Sequence, residues 1–378
     1  MNQSASDPAP IVHFLYEPGN GGLDRVAILL ANGMAQRGLP VELWLTKAAG
    51  PVAHLIASEV KVRMVPTPGI GGRGVQLFLQ IPAVARMIRQ YRPAAIFSAG
   101  NQSNLSLAIA RKLSGYRPTK IIQKITNPVI RPDFTPLMRR YRTWRFGVTA
   151  RLGDMTLTLS EADAADYAQI YPDAADRFHA VANPYVTPEM LACGEGRTTG
   201  DQQTGITRLL AAGRVQPQKD YRTLISALAR IKDLPWSLTV LGDGPLLEDT
   251  KRLAETLGLA ERIESCGFVC DATPYYAQAD ILVLSSQWEG FPAVPIEAMA
   301  TGCAVVATDC SVGLTHILRE IGQETVPVRD PAALAEAIRA RIDHPAPAEP
   351  LRACAKDYMI ENSVEQHLAL LQRLCRGA

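Results

Sequence analysis

Short apolar runs alternate with amphipathic segments along the first half of the chain. Runs of four to six mostly apolar residues predict strands covered on both faces, and the longer segments between them predict helices. The predicted strands are residues 11–16, 41–46, 60–65, 94–97, 120–125 and 155–159. The predicted helices are residues 23–37, 75–91, 101–113 and 161–170. Strands that alternate with helices favour a parallel α/β sheet.

The same alternation restarts after residues 191–205, a polar and glycine-rich stretch that predicts a linker. A chain of 378 residues also exceeds one typical hydrophobic core. We therefore predict two doubly wound Rossmann-like domains facing across a cleft, at residues 1–190 and 206–361. The strands predicted in the second domain are residues 207–212, 237–241, 262–265, 281–284 and 304–307.

Residues 281–302 carry the most informative chemistry of the chain. An apolar strand is followed by a loop and then by a helix, with Pro295 predicted at the first helical position and Gly302 at the C-terminal cap. Glu289 then lies in the loop and Glu297 in the first helical turn. Such an acid can bind a ribose diol while the helix N-terminus faces a phosphate. Each glutamate taken alone is more typical of a solvated surface or of an interaction with the helix dipole.

A second strand-turn-helix segment covers residues 208–221. Gly213 predicts a tight turn and Asp220 a helix start. Arg214 and Lys219, between them, could converge on a diphosphate, because guanidinium and ammonium groups both match phosphate oxygens. In isolation, the same two cations are typical of a solvated loop.

Gly21 and Gly22 lie between the first strand and the first helix. Glycines there allow a ligand to approach backbone amides at a helix N-terminus. An ordinary tight turn explains them equally well.

The motif Glu-Gly-Phe-Pro, with a second Glu eight places after the first, closely resembles the donor-binding signature of the retaining family-four glycosyltransferases. These are two-domain enzymes of the GT-B fold. The stretch with Arg214 and Lys219 resembles the Gly-Arg…Lys-Asp segment of the same family, whose cations hold the donor pyrophosphate.

The resemblance implies a role for each matching residue. Arg214 and Lys219 would act on the pyrophosphate, Glu289 on the transferred sugar, and Glu297 on the ribose. The remaining donor-binding residues that it implies are Gly21, Gly22, Gly213, Gly290, Phe291 and Pro292. It also implies that residues 362–378 form a helix that crosses back to the first domain.

The resemblance further implies a retaining hexosyltransferase that needs neither a metal nor a cofactor. The donor would be a nucleoside-diphosphate sugar, with UDP or GDP as the nucleotide. Charge grows on the departing diphosphate, so fixed cations would take the place of a divalent ion.

The match departs from the family in the loop after the fifth strand. Many relatives carry a catalytic His there, whereas this chain has none. A subgroup with Arg and Asn residues at this place makes Lys124, Thr126 and Asn127 the acceptor-side candidates. A second departure is His316, which stands where relatives commonly carry Glu.

Positive charge is concentrated in the first half of the chain. Residues 61–151 contain 17 Lys or Arg and one acid, Asp133. Such a surface could face nucleic acid, anionic lipid or a phosphorylated acceptor. No zinc-finger spacing or aromatic RNA-binding string supports nucleic acid. In residues 131–147 arginines mix with aromatics, which suits docking at an anionic membrane or a helix that packs its aromatics on the sheet.

The sequence has no cationic, apolar leader and no run of the roughly 18–20 apolar residues that span a bilayer. We therefore expect a cytoplasmic protein, peripheral on the inner face of the cell membrane. The predicted function is sugar transfer to a lipid-linked or glycan acceptor in polysaccharide, glycolipid or lipopolysaccharide biosynthesis. Two alternatives remain: a non-hydrolysing nucleotide-sugar epimerase on the same fold, and a non-catalytic basic membrane-binding protein.

Overall fold

The computed structural model describes residues 8–19, 21–131, 133–195, 205–323 and 325–376. Contacts between Cα atoms divide the chain into two compact units. The first consists of residues 1–184 and 360–378, and the second of residues 185–359. The expected boundaries were residues 190 and 206, and most of the expected linker, residues 196–204, lies outside the described residues.

The first unit contains a seven-stranded parallel sheet in the order β3-β2-β1-β4-β5-β6-β7. Its strands are β1 (Ile11–Leu15), β2 (Val41–Leu45), β3 (Lys61–Met64), β4 (Ala95–Ser98), β5 (Lys120–Lys124), β6 (Met155–Thr158) and β7 (Phe178–Ala180). Its helices are α1 (Gly22–Gln36), α2 (Arg73–Leu79), α3 (Ile81–Tyr91), α4 (Asn104–Ser114), α5 (Pro136–Leu152), α6 (Glu161–Ile170) and α15 (Ile360–Arg376). Every residue of β1, β2 and β4 is buried, as the apolar runs predict.

The second unit contains a six-stranded parallel sheet in the order β10-β9-β8-β11-β12-β13. Its strands are β8 (Thr207–Ala212), β9 (Trp236–Leu241), β10 (Ile263–Gly267), β11 (Ile281–Leu284), β12 (Ala304–Thr308) and β13 (Thr325–Val326). Its helices are α7 (Pro188–Cys193), α8 (Tyr221–Leu228), α9 (Leu247–Thr256), α10 (Thr273–Gln278), α11 (Ala293–Ala300), α12 (Val312–Glu320), α13 (Pro331–Asp343) and α14 (Ala348–Lys356).

The strand order of each sheet reverses at one place. In the first unit this place is between β1 and β4, and in the second it is between β8 and β11. Ligands of open α/β sheets bind at such places, beyond the carboxyl ends of the strands. The loops that follow β1, β4, β8 and β11 are therefore where the fold favours a site.

The single helix predicted over residues 75–91 is wrong. The structure has two helices, α2 and α3, which meet at Gln80. Pro82 is the second residue of α3 and has no backbone N–H, so it cannot continue the hydrogen-bond ladder of α2. Its fixed φ instead suits the first turn of a new helix.

The C-terminal helix α15 packs against α1 in the first unit. Gly33 of α1 lies so close to α15 that a Cβ atom there would be 2.6 Å from Cγ2 of Val364. The Ser363 hydroxyl also donates a hydrogen bond to the Ala182 carbonyl, at 2.6 Å. Within the described residues, every helix is too short or too polar to cross a bilayer.

Candidate active site

The loops after β8 and β11 bring Lys219 and Glu289 into an ion pair. Nζ of Lys219 lies 2.7 Å from Oε1 of Glu289, and the two side chains are only 15% and 10% exposed. The other interactions of the Glu289 carboxylate are hydrogen bonds donated by Ser286 (2.8 Å) and Gln218 (3.1 Å). This carboxylate is thus held in one orientation by three neighbours. Neither Ser286 nor Gln218 was a predicted site residue. Both are near predicted ones in sequence, Ser286 to Glu289 and Gln218 to Lys219.

Gly213 gives Lys219 the room to reach this position. Its φ of +140° favours glycine, and a Cβ atom there would be 2.8 Å from Cε of Lys219. The loop then closes in a short 3₁₀ turn, Pro217–Lys219, and α8 begins with Asp220 as its N-cap. The Asp220 side chain accepts a hydrogen bond from the backbone N–H of Thr223, so the predicted turn and helix start are both confirmed.

Arg214 lies in the same loop but in a different environment. It is exposed, and among the described residues its guanidinium forms no hydrogen bond or ion pair. A guanidinium without a bond inside the described residues can accept an anionic ligand without first breaking one.

The helix that carries Glu297 begins earlier than predicted. Pro292 is the N-cap of α11 and Ala293 its first residue, so Pro295 occupies the third helical position and Glu297 lies beyond the first turn. Proline is tolerated here because the first N–H groups of a helix have no partner within it. The Glu297 carboxylate accepts a hydrogen bond from the Tyr276 hydroxyl, at 2.8 Å. Gly302, with φ of +76°, follows the helix as predicted.

Phe291 serves the packing of this loop. Its ring is 6% exposed and stacks on Tyr358 and Tyr185, with centroid distances of 5.4 and 6.2 Å. Its carbonyl accepts a hydrogen bond from the Tyr185 hydroxyl, at 3.1 Å. Gly290, just before it, has a carbonyl that accepts a hydrogen bond from the Ser311 hydroxyl. The roles implied for Gly290, Phe291 and Pro292 in binding a sugar stay predictions.

In the first unit, the loops after β1, β4 and β5 surround a cavity of about 220 Å³. Its lining includes Gly21, Thr126 and Asn127, three residues predicted from two separate parts of the chain. Asn101, from the loop after β4, holds the last two of them: its side-chain N–H donates to the Asn127 carbonyl (2.9 Å), and its oxygen accepts from the Thr126 N–H (2.8 Å). The structure thus places two of the three acceptor-side candidates in one cavity.

Two lining residues, Asp24 and Arg73, were not predicted. Asp24 is in the first turn of α1 and is 6% exposed, and burial raises the pKa of its carboxyl group. Arg73 begins α2, and its guanidinium lies 4.9 Å from the ring centroid of Tyr16. The sequence did contain a signal for Asp24. Its carboxylate follows Gly21 and Gly22, which were already predicted to lie at the start of this helix.

Lys124, the third acceptor-side candidate, is the buried last residue of β5 and is not part of the lining of this cavity. Its Nζ lies 3.3 Å from Nε2 of His367, on α15. Burial lowers the pKa of Lys124 to about 7 and, together with the charge of Lys124, lowers the pKa of His13 to about 3. The side chain therefore links β5 to the C-terminal helix, and its role toward an acceptor stays a prediction.

The basic aromatic segment splits into an exposed half and a buried half. Leu137, Met138, Tyr141 and Trp144, on the first half of α5, are 79, 42, 51 and 64% exposed. Phe146, in contrast, is 8% exposed and packs against Tyr167, Tyr171 and Phe178. The packing interpretation thus describes the buried half of the helix, and docking of the exposed half at a membrane stays a prediction.

Comparison with known families assigns both units. Residues 21–184 match the model of the glycosyl transferase 4-like domain, and residues 206–344 match that of glycosyl transferases group 1. The chain belongs to the family-four-like glycosyltransferases of the GT-B fold. The predicted fold and family are therefore confirmed, and the protein is a glycosyltransferase.

Individual relatives cover nearly the whole chain. D-inositol 3-phosphate glycosyltransferase 1 from Catenulispora acidiphila is 34% identical, and the match covers 96% of this chain and 94% of the relative. N-acetylgalactosamine-N,N'-diacetylbacillosaminyl-diphospho-undecaprenol 4-alpha-N-acetylgalactosaminyltransferase from Campylobacter jejuni is 25% identical and covers 80% of this chain and 82% of its own. Other matching relatives are glycosyltransferases of amylovoran and lipopolysaccharide core biosynthesis.

Among solved structures, HepE of Anabaena in complex with UDP and glucose superposes with a TM-score of 0.75. The two chains are 18% identical, and the match covers 96% of this chain and 99% of the other. At this identity the likeness describes the fold.

Proposed function

We propose that the protein is a retaining, metal-independent hexosyltransferase that uses a UDP- or GDP-sugar. The acceptor would be a lipid-linked or other glycan in the synthesis of a cell-surface polysaccharide, lipopolysaccharide or glycolipid. The observation that carries this proposal is the ion pair of Lys219 and Glu289 beyond β8 and β11, at the reversal of strand order, with Arg214 in the same loop as Lys219. This is where an open α/β sheet binds a nucleotide.

In the proposed mechanism, Arg214 and Lys219 stabilise the departing diphosphate. Negative charge grows on that group as the bond to the sugar breaks, and preorganised cations lower the energy of the transition state. Within the described part of the chain, Arg214 has no hydrogen bond or ion pair to give up. The ammonium of Lys219 has three N–H donors and can contact a phosphate oxygen while it still holds Glu289.

Glu289 would orient the transferred sugar. Its carboxylate is already fixed by Lys219, Ser286 and Gln218. A fixed carboxylate can accept hydrogen bonds from sugar hydroxyls, and its negative charge favours the oxocarbenium-like centre of glycosyl transfer. The departing phosphate oxygen would accept the acceptor's proton, so the reaction needs no cofactor or strong base. Glu297, held by Tyr276, would bind the ribose.

The membrane-facing surface would be the exposed half of α5. Leu137, Met138, Tyr141 and Trp144 recur at helical spacing, and Arg139, Arg140, Arg142 and Arg145 lie among them. No acidic residue occurs between Glu59 and Asp133, and none occurs within α5. Apolar side chains among cations suit an anionic leaflet, so we place the protein on the inner face of the cell membrane.

The two alternatives make different demands on these residues. A non-hydrolysing epimerase would convert one nucleotide sugar into another. It would need no acceptor and would release no nucleoside diphosphate when an acceptor is added. A non-catalytic membrane-binding protein would need none of Arg214, Lys219 and Glu289. The ion pair of Lys219 and Glu289, in loops that follow neighbouring strands, favours an enzyme over the non-catalytic protein.

Thermal unfolding in the presence of individual nucleotide sugars tests the donor assignment. The panel is UDP- and GDP-linked glucose, galactose, mannose and N-acetylglucosamine. A ligand that binds only the folded protein and is present at 100 times its Kd stabilises it by about 2.7 kcal/mol. We expect stabilisation by members with one of the two nucleotides, and a loss of that stabilisation in Arg214→Ala. If no member raises Tm, the donor assignment is wrong.

A further inference from the structure

Arg329 lies in the turn between β13 and α13, and its backbone is in the left-handed region, with φ of +61°. Among the described residues, positive φ values occur at 11 glycines and at only three other residues, Arg92, Asp220 and Arg329. A residue with a Cβ atom is strained in this region, whereas glycine is not. The turn alone would be satisfied best by glycine, so an arginine here indicates a side-chain contact that offsets the strain.

Helix caps account for the other two residues. Arg92 ends α3 as its C-cap, where the left-handed conformation is common. Asp220 is the N-cap of α8, and its side chain accepts a hydrogen bond from the Thr223 N–H. Arg329 has neither position, because the N-cap of the following helix, α13, is Asp330. Helix capping therefore does not explain its conformation.

The side chain of Arg329 contacts the loop that carries Glu289. Its guanidinium donates a hydrogen bond to the side-chain oxygen of Gln287, in the loop after β11. Among the described residues, this is the only hydrogen bond that either side chain makes. The contact joins the loops after β13 and β11, two strands that β12 separates in the sheet.

Gln287 begins the short segment, residues 287–289, that ends at Glu289. Its backbone N–H donates to the Gln218 carbonyl, at 2.8 Å. The Gln218 side chain donates to the Trp288 carbonyl, at 2.9 Å, and to the Glu289 carboxylate, at 3.1 Å. Gln218 thus holds the segment from the loop after β8, and Arg329 holds it from the loop after β13.

We propose that Arg329 is a positioning residue for sugar transfer, which fixes residues 287–289 through Gln287 and so holds the Glu289 carboxylate toward the transferred sugar. The inference rests on the proposed role of Glu289 and adds a residue outside both motif segments, residues 208–221 and 281–302. A misplacement of about 1 Å can cost about 10²-fold in rate, so a contact two residues away from Glu289 is close enough to matter.

Arg329→Gly separates this role from a role in stability. The variant loses the contact with Gln287 and also loses the backbone strain, so its Tm should not fall below that of the parent. Its kcat for sugar transfer should fall about 10–100-fold, because the segment that ends at Glu289 is then held from one side only. Its Kd for UDP and for GDP should be unchanged, since Arg214 and Lys219 are intact. A residue that served only the fold would lower Tm and leave these kinetics unchanged.

Arg92→Gly is the matched control. It makes the same change at another arginine with left-handed backbone, in the first unit, where the guanidinium lies 5.7 Å from the ring centroid of Tyr116. Its kcat should equal that of the parent. Gln287→Ala removes the other partner and should slow transfer as much as Arg329→Gly does. The double variant Arg329→Gly/Gln287→Ala should be no slower than either single variant, because all three lack the same contact.

Three results overturn the proposal: parental kcat in Arg329→Gly, losses of Arg329→Gly and Gln287→Ala that multiply in the double variant, or a raised Kd for UDP or GDP in Arg329→Gly. The parent, measured in the same series, separates the two levels of the account. If the parent binds UDP or GDP and transfers sugar while Arg329→Gly behaves as the parent does, only the positioning role falls. If the parent does neither, the proposed function falls and the positioning role falls with it.

Discussion

The Lys219 ammonium and the Glu289 carboxylate form an ion pair, with 2.7 Å between Nζ and Oε1. The two residues come from loops that follow neighbouring strands, β8 and β11. A mostly buried pair has a large effect when one partner is removed, because the remaining charge stays desolvated. Lys219 thus has two roles in this account, one in the proposed stabilisation of the leaving group and one in holding Glu289.

Removal of either proposed phosphate-binding cation should slow sugar transfer. Arg214→Ala and Lys219→Ala should each reduce kcat about 10²–10³-fold, since one lost transition-state donor costs roughly 2.7–4 kcal/mol. Only Lys219→Ala should also lower Tm, because it leaves Glu289 without its ion pair. Thermal unfolding measures the loss of stability. Steady-state kinetics, at a temperature below the Tm of the less stable variant, measure the loss of turnover separately.

The controls for these variants are Arg222→Ala, an exposed arginine of α8, and Lys232→Ala, an exposed lysine. Both should retain the parental kcat. In the double variant Lys219→Met/Glu289→Gln, the stability loss should be smaller than the sum of the single losses, since no unpaired charge remains. Parental turnover in both Arg214→Ala and Lys219→Ala would refute the diphosphate assignment.

Sugar transfer should continue in the presence of excess EDTA. The proposed positive field at the leaving group comes from Arg214 and Lys219, and chelation does not change these side chains. The measurement is the initial rate before and after EDTA, with and without added magnesium or manganese. Complete loss of activity, restored by either ion, would contradict the metal-independent mechanism.

Lys124 should make the stability of the protein rise with pH. Its pKa is about 7 in the folded protein, against 10.5 ordinarily, so between these pH values the unfolded chain holds a proton that the folded chain lacks. The free energy of unfolding then increases with pH, by at most about 1.4 kcal/mol per unit from this group. Below pH 7 both states are protonated and this contribution no longer changes.

Denaturant unfolding of Lys124→Met from pH 6 to pH 10 measures this effect. The variant should lose the rise and be more stable than the parent at pH 7, since it has no buried amine to deprotonate. Lys120→Met, at the half-buried start of the same strand, should keep the rise. Identical slopes for Lys124→Met and the parent would show that the amine is not buried with His367 and His13.

The exposed half of α5 should bind anionic vesicles. Each Lys or Arg near an anionic leaflet contributes about 1 kcal/mol, and salt screens the attraction. Co-sedimentation with phosphatidylglycerol vesicles at low salt should fall for Leu137→Ser/Trp144→Ser and for the variant in which Arg139, Arg140, Arg142 and Arg145 are Ser. Neutral vesicles should bind poorly.

The matched control is Leu113→Ser/Ile170→Ser, which removes two exposed apolar side chains from other helices of the same unit. It should sediment as the parent does. If the α5 variants also sediment normally, the membrane does not contact this surface. A concentration-dependent dimer of the parent that Leu137→Ser/Trp144→Ser abolishes would instead identify a second copy of the chain as the occupant.

Much of the fold could be predicted from local pattern. The buried strands of both units are short apolar runs, and Gly213, Asp220 and Gly302 mark turns and caps that depend only on nearby residues. The start of α11 was missed because proline fits several positions of a first helical turn, so Pro295 alone does not fix the register. The break between α2 and α3 was missed for the same reason, because Pro82 alone does not show that a new helix begins there.

The side-chain geometry depends on contacts between distant parts of the chain, which no local pattern contains. Lys219 meets Glu289 only because β8 lies beside β11, and Lys124 is buried only because α15 returns to the first unit. Asp24 and Arg73 line one cavity although β2 and β3 separate α1 from α2 along the chain. Motifs could identify candidate residues, but the partners of those residues come from topology.

Transfer of labelled sugar measures the proposed reaction itself. The protein is incubated with membranes of the organism from which it comes. The donor is the nucleotide sugar that stabilises the protein, with a radiolabel in its sugar. We expect label to move into the lipid-extractable or glycan fraction, with stoichiometric release of nucleoside diphosphate, and we expect Arg214→Ala to abolish most of this movement. Conversion of the donor to its epimer, with no label transferred and no nucleoside diphosphate released, would contradict the account.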